Sequence, residues 1–262
     1  MKIYVAGHLG LVGSALIRNI ETHGGHSWVG RSRDELDLFD RVAVENFIAD
    51  EQPEAIIIAA AKVGGIGANS SYPVDFLMEN LRIQMNLIEA AHSQNVKRLL
   101  FLGSSCIYPK YAQQPIKEEY LLTGALEPTN EPYALAKIAG IKMIEAYSRQ
   151  YGRDWTSAMP TNIYGPGDNF NVVSGHVLPT LINKFHQAKV QGSPSVELWG
   201  TGSPMREFLY ADDLAAACLF LMENYSDPEL VNIGTGVDVT IKELAETVKE
   251  IVGFDGEIRW DV

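Results

Sequence analysis

The sequence predicts an α/β fold, a doubly wound parallel sheet with helices on both faces and a smaller mixed lobe behind it. Three observations predict it. A short apolar run at residues 2–6 passes straight into the glycine turn GHLGLVG and then into a helix pattern. Residues 55–60, AIIIAA, form a continuous apolar run rich in β-branched side chains, as a central parallel strand buried on both faces requires. Strand and helix patterns then alternate as far as Pro160, and parallel strands need such crossover helices.

Taken in order, strand 2–6 is followed by the turn at 7–13 and a helix at 14–22. A strand is expected at 27–30, a helix at 42–50 and the buried strand at 55–60, which ends in a flexible glycine-rich loop, Lys62 to Gly67. A long amphipathic helix spans 73–94, and RLLFLG at 98–103 is the next buried strand. A helix from Tyr133 to Tyr151 closes at Gly152, a residue suited to a helix C-terminus, and 156–160 is a further strand. Beyond it the alternation lapses into a polar loop at 167–175. Helix 177–187 follows, then strands 196–200 and 206–210, helix 214–223 and strand 230–234. Thr240 heads a last helix with Glu243 at the capping-box position.

Composition narrows the functional classes. Asp and Glu number 33 against 21 Lys and Arg, a net charge of −12 over 262 residues. That field repels nucleic acid and anionic membranes, so neither is an expected partner, and an anionic ligand must be held by local cations. Cys106 and Cys218 are too few for a disulfide framework and suit a reducing compartment. No apolar stretch approaches the ~18–20 residues that cross a bilayer, and residue 1 leads directly into a strand. The expectation is a cytoplasmic protein with no metal site.

The chemistry gathers where the strands end. Gly7, Gly10 and Gly13 form GxxGxxG between a strand and a helix, where glycine lets backbone approach a pyrophosphate and the helix N-terminus favours anions. Arg31 and Arg33, past the second strand, favour a ribose 2′-phosphate and so NADP. Ser104 and Cys106 place a hydroxyl and a thiol two residues apart beyond strand 98–103. Tyr133 and Lys137 share a helix face, and a lysine cation beside a phenol lowers its pKa from about 10 and makes it a usable acid/base. Cys218 lies in an apolar helix and reads as core, and His8 as a brace for the glycine turn.

Together the GxxGxxG, the hydroxyl residues after a strand and the later YxxxK resemble an extended short-chain dehydrogenase/reductase across the full 262 residues. The segments AAAKVGGI, FLGSSCIYP, LEPTNEPYALAKIAG, MPTNIYGP, WGTGSPMREF and NIGTGVD are similar to the branch that epimerises and reduces GDP-4-keto-6-deoxy-D-mannose. The resemblance implies a Rossmann-type NADP(H)-binding domain at 1–165, with 206–236 returning to it, and a partial substrate lobe at 166–205 and 237–262. It implies that Tyr133 gives a proton to the ketone, Ser104 hydrogen-bonds the carbonyl, and Lys137 grips the nicotinamide ribose. Epimerisation beside a ketone takes a proton from one face and returns it to the other, and Cys106 and His176 are the implied base and opposing acid. Implied cofactor contacts are Gly7, His8, Leu9, Gly10, Leu11, Val12, Gly13, Arg33, Leu102, Gly103, Ser104, Ser105, Lys137, Pro160, Thr161, Asn162, Ile163 and His176. Lys184, Trp199 and Arg206 are the implied substrate contacts.

Three departures stand against that pattern. Leu9 occupies a position where the family often has arginine near the 2′-phosphate, and Lys184 replaces a frequent arginine. The chain stops at Val262, whereas relatives continue through a segment with another substrate contact, so a truncated lobe is expected. A 4-epimerase or 4,6-dehydratase of the same fold would hold NAD and need no thiol. A non-catalytic cofactor-binding protein would need none of Ser104, Tyr133 and Lys137. Helices 73–94 and 133–151 would lie side by side, and the resemblance pairs them with symmetry mates in a homodimer.

Overall fold

A computed structural model of the chain describes residues 1–172 and 174–262; position 173 of the expected polar loop lies outside them. The first half runs β1 (Lys2–Ala6), α1 (Leu11–His23), β2 (Ser27–Val29), α2 (Arg41–Glu51), β3 (Ala55–Ile58), α3 (Ile66–Ser71), α4 (Pro73–Ser93) and β4 (Arg98–Leu102). The second runs α5 (Glu131–Tyr151), β5 (Asp154–Pro160), β6 (Asn162–Tyr164), α6 (Val177–Gln191), β7 (Ser195–Trp199) and β8 (Met205–Tyr210). It closes with α7 (Ala211–Asn224), β9 (Leu230–Ile233), β10 (Asp238–Thr240), α8 (Ile241–Val252) and β11 (Glu257–Asp261).

Six strands form the main sheet in the order β2-β1-β3-β4-β5-β9, and every pairing in it is parallel. From β1 the chain steps outward to β2 and then back across β1 to β3. The crevice beyond the carboxyl ends of β1 and β3 is therefore the switch point at which such sheets bind ligands.

The two-residue period of a strand divides the core. Tyr4, Ala6, Ile56 and Ile58 face one layer, where α2, α4 and α5 bury Val44, Ile48, Leu87, Ile88, Ile141 and Ile144. Ile3, Val5 and Ile57 face the other, against Leu16 and Ile20 of α1 and Leu214 and Cys218 of α7. Complete burial of such a side chain contributes about 1.5–3 kcal/mol, so both layers are strongly held. Cys218 is core, as its apolar helix implied. Gly140 permits a close helix-to-sheet approach: a Cβ there would lie 2.3 Å from Cζ of Phe101.

A separate apolar cluster joins α6, α8 and β7 through Leu178, Phe185, Val196, Leu198, Ala245 and Val248. Beside it lie a three-stranded sheet, β10-β8-β6, and a parallel pair, β11-β7. The expected capping box is present: Glu243 N donates to Thr240 Oγ1 at 3.1 Å, and Thr240 N to Glu243 Oε2 at 2.8 Å. Two expectations differ. The loop from Lys62 to Gly67 turns into α3 at Ile66, because the Asn69 side chain gathers the two preceding glycine carbonyls. The strands β6 and β10 have three residues each, too few to display a period; they exist because β8 pairs with both.

Candidate active site

The glycine turn is built for a close-fitting ligand. Gly7 has φ 85°, a conformation open to glycine, and a Cβ there would lie 2.7 Å from the Ala60 backbone. At Gly13 a Cβ would lie 2.1 Å from the Gly7 carbonyl oxygen. Gly10 precedes α1 and supplies no capping side chain, so the N–H groups of Leu11, Val12 and Gly13 lack an intrahelical acceptor. His8 fills the space beneath Gly30, where an added Cβ would lie 2.5 Å from its Cγ, and its ring sits 6.0 Å from that of Trp28. It braces the turn against the end of β2. Leu9 is exposed.

The two arginines beyond β2 differ. Arg31 donates to Glu51 Oε1 at 2.6 Å and to the Gly30 carbonyl at 2.9 Å, with its guanidinium 5.1 Å over the Phe47 ring. It is committed to the fold. Arg33 is exposed, stacks 5.5 Å from the Phe39 ring and has no ion pair among the described residues. At the far side of the crevice, Thr161 N donates to the Ile233 carbonyl at 3.1 Å, while its Oγ1 is buried without a hydrogen-bond partner among the described residues. Asn162 Nδ2 donates to the Glu207 carbonyl at 2.9 Å. Pro160 ends β5 and Ile163 lies in β6. The glycine cradle, an uncapped helix start, an unpaired arginine and an orphaned hydroxyl fit a phosphorylated dinucleotide.

Between these features lies the reactive cluster. Gly103 N donates to the Ala158 carbonyl at 2.8 Å, continuing the strand contact beyond Leu102. Ser104 is extended, and a single 3₁₀ turn from Ser105 to Ile107 folds the chain back. The turn brings Cys106 Sγ within 3.4 Å of Ser104 Oγ. Ser104 also acts on the Tyr133 phenol, whose pKa it holds down. Lys137 is buried, donates from Nζ to the Leu102 carbonyl at 2.8 Å, and lies 4.8 Å from the Phe101 ring centroid and 5.9 Å from that of Tyr133. Phe76 meets Tyr133 edge-on with centroids 6.2 Å apart.

Burial sets the electrostatics of this cluster. It pushes the Tyr133 phenol up, the Cys106 charge adds to that, and the Ser104 hydrogen bond opposes it. The expected lowering by Lys137 is therefore absent, because the ammonium is spent on a backbone carbonyl and burial outweighs it. The Cys106 thiol is likewise raised by burial, against the Ser104 hydrogen bond and the Lys137 charge. Burial brings Lys137 down to about 8, against the pull of Cys106. In the free protein the thiol and phenol both hold their protons at neutral pH.

The remaining expected residues lie on the lobe side. His176 is exposed at the N-cap of α6, makes no capping bond, and among the described residues has no hydrogen bond to the Ser104 cluster. Lys184 Nζ donates to the Glu197 carbonyl at 3.1 Å, two residues before Trp199, which is 81% exposed. Arg206 is exposed on β8 and donates to its neighbour's carbonyl, that of Met205, at 2.7 Å. Sequence reasoning missed Phe76 and Phe101, which read as ordinary core positions. It also missed Asp168, whose carboxyl burial pushes up while the Asn169 N–H and the His176 charge oppose; its only signal was a polar loop.

Residues 3–234 match the model of the NAD dependent epimerase/dehydratase family. The chain is 59% identical over 260 residues to GDP-L-fucose synthase 1 of Arabidopsis thaliana, covering 99% of this chain and 80% of that one. It resembles the crystal structure of a GDP-6-OMe-4-keto-L-xylo-heptose reductase from C. jejuni with TM-score 0.94 at 38% identity, over 100% of this chain and 86% of that one. A GDP-L-fucose synthetase from Naegleria fowleri bound to NADP superposes with TM-score 0.91 at 30% identity, over 99% of this chain and 81% of that one.

Proposed function

This chain belongs to the NAD dependent epimerase/dehydratase family, and from that premise we propose that it inverts C3 and C5 of GDP-4-keto-6-deoxy-D-mannose and reduces C4 with NADPH, forming GDP-L-fucose. The observation that carries this reading is the position of Ser104, hydrogen-bonded to Cys106 on one side and acting on the Tyr133 phenol on the other. A hydroxyl so placed can hold one ketone oxygen while the thiol works on the neighbouring carbons and the phenol on the oxygen itself.

When bound, NADPH supplies the hydride for C4. Ser104 and Tyr133 donate to the ketone oxygen and stabilise the enolate formed when a flanking carbon loses its proton. Cys106, as thiolate, takes that proton. The His176 imidazolium returns one to the opposite face, and both groups reset through solvent before the second inversion. In the reduction Tyr133 gives its proton to the alkoxide. Lys137 holds the nicotinamide ribose beside it. Arg33 takes the 2′-phosphate, and Gly7 to Gly13 hold the pyrophosphate. Lys184, Arg206 and Trp199 bind the GDP end, where Arg206 offers a planar fork for the diphosphate.

The NADP-binding domain is assigned to 1–165 with 206–236 and the substrate lobe to 166–205 with 237–262. Support comes from β9 at the edge of the main sheet and from the separate core of α6, α8 and β7. A homodimer is proposed through α4 and α5, which pack side by side and expose Val74, Met78, Met85 and Leu135. A reducing, cytoplasmic setting accords with two free cysteines.

The test is NADPH absorbance with GDP-4-keto-6-deoxy-D-mannose. Turnover to GDP-L-fucose is expected; tight NADPH binding without turnover would overturn the proposal. A second reading, reduction of a related GDP-4-keto sugar, draws on the likeness to the heptose reductase and would be favoured if that sugar alone were reduced.

A further inference from the structure

The segment Lys62 to Gly67 takes part in none of the roles assigned above, yet it touches both sides of the site. On one side Gly64 packs against Phe76: a Cβ on Gly64 would lie 3.1 Å from Cζ of Phe76, the ring that meets Tyr133 edge-on. On the other, Gly65 N donates to the Ser174 carbonyl at 3.3 Å. A Cβ on Gly65 would lie 3.2 Å from the carbonyl oxygen of Gly175, the residue next to His176. Gly175 has no room of its own, since a Cβ there would lie 2.4 Å from the Asn169 carbonyl oxygen and 2.6 Å from that of Asn171.

One side chain pins this strap. Asn69 is buried, 6% exposed, and its Nδ2 donates to the Gly64 carbonyl at 2.8 Å and to the Gly65 carbonyl at 3.1 Å. Both glycine carbonyls are thereby turned toward α3, which directs the Gly65 N–H outward to Ser174. The Gly65 carbonyl also accepts from the Asn69 backbone N–H at 3.1 Å, and Asn69 Oδ1 is buried without a hydrogen-bond partner among the described residues, so removing the side chain leaves the Gly64 carbonyl as the group that loses its bond. The chain of contact is continuous from Asn69 through Gly65 and Ser174 to the residue beside His176.

We propose that Asn69 is a positioning residue for epimerisation, which acts by holding the Gly64-Gly65 strap and so the placement of His176 across the cleft from Cys106. This rests on the reaction proposed above. The reductive half, centred on Tyr133, Ser104 and the bound dinucleotide, draws on Asn69 much less, because α5 is anchored by its own packing on α4 and the sheet.

The experiment compares Asn69→Ala and Gly65→Ala with wild type in three measurements: NADPH binding, NADP-dependent oxidation of GDP-L-fucose, and deuterium exchange at C3 and C5 of GDP-4-keto-6-deoxy-D-mannose in heavy water without NADPH. Gly65 has φ −66° and ψ 176°, a conformation alanine adopts freely, so its added methyl acts through its contacts with the carbonyl oxygens of Gly175 and Ser174. Exchange is expected to fall roughly tenfold to a hundredfold in both variants, the scale of an ångström-sized misplacement, with NADPH binding and GDP-L-fucose oxidation within about twofold. In a His176→Ala background, Asn69→Ala is expected to lower exchange no further, since the two act as one unit. Equal losses in exchange and oxidation, or additive losses with His176→Ala, would overturn the proposal. If Asn69→Ala does not fold, Gly65→Ala decides alone. A wild-type protein that neither exchanges nor oxidises would instead remove the reaction on which the proposal rests.

Discussion

The thiol of Cys106 rests 3.4 Å from the hydroxyl of Ser104, so the proposed carbon base and the proposed ketone grip are one contact apart. Replacing Cys106 by Ser is expected to cut C3 and C5 exchange by about 10²–10⁴-fold, the usual share of a positioned acid or base. Reduction of a ketone already inverted at both carbons should be largely retained. Intact exchange in the variant would show that the thiol is not the carbon base.

Because burial raises the Cys106 thiol, its reactive thiolate is scarce at neutral pH. The exchange rate is expected to climb with pH past the ordinary thiol value of about 8.5. A plateau already reached near pH 7 would show that the bound substrate or cofactor pulls the thiol down.

Tyr133→Phe keeps the ring that packs on Phe76 and removes only the donor. Reduction should fall by about 10²–10⁴-fold, while NADPH affinity, measured by fluorescence titration, stays close to wild type.

Lys137 carries a pH signature in stability. Its folded pKa is brought down to about 8 from an unfolded value of about 10.4. Between those values the unfolded chain binds the extra proton, so this residue makes stability rise with pH across that window, by at most about 1.4 kcal/mol per pH unit. Raised acids such as Cys106 act in the opposite direction, so the comparison is best made between Cys106→Ser and the double variant Cys106→Ser with Lys137→Met. Denaturant unfolding from pH 7 to 11 should show the Lys137 chain gaining on its methionine partner. A constant difference would mean that the ammonium is not held in a dry site.

The arginines should separate cleanly. Arg33→Ala is expected to weaken NADPH by about tenfold to a hundredfold relative to NADH, the range of a lost charged hydrogen bond. Arg31→Ala should leave that ratio nearly unchanged and lower the melting temperature, because Arg31 is bound to Glu51 and stacked on Phe47.

Much of this was legible in the residues. The glycine spacing, the β-branched run at β3 and the alternation of apolar patterns are local signals, since backbone geometry and solvent act on each segment separately. They determined a doubly wound sheet, a cradle at Gly7 to Gly13 and the shared helix face of Tyr133 and Lys137. The capping box at Thr240 was legible for the same reason. What tertiary structure alone decided depends on who stands next to whom. Arg31 and Arg33 are two positions apart and alike in sequence, and only the arrival of Glu51 and Phe47 commits one to the fold and leaves the other without an ion pair among the described residues. The YxxxK spacing implied a lowered phenol, but a buried site penalises charge and the Leu102 carbonyl takes the ammonium. The contact of Gly65 with Ser174 spans 109 positions (174 − 65), a distance over which no sequence period carries information, and it forms because the end of β3 and the start of α6 meet above one cleft.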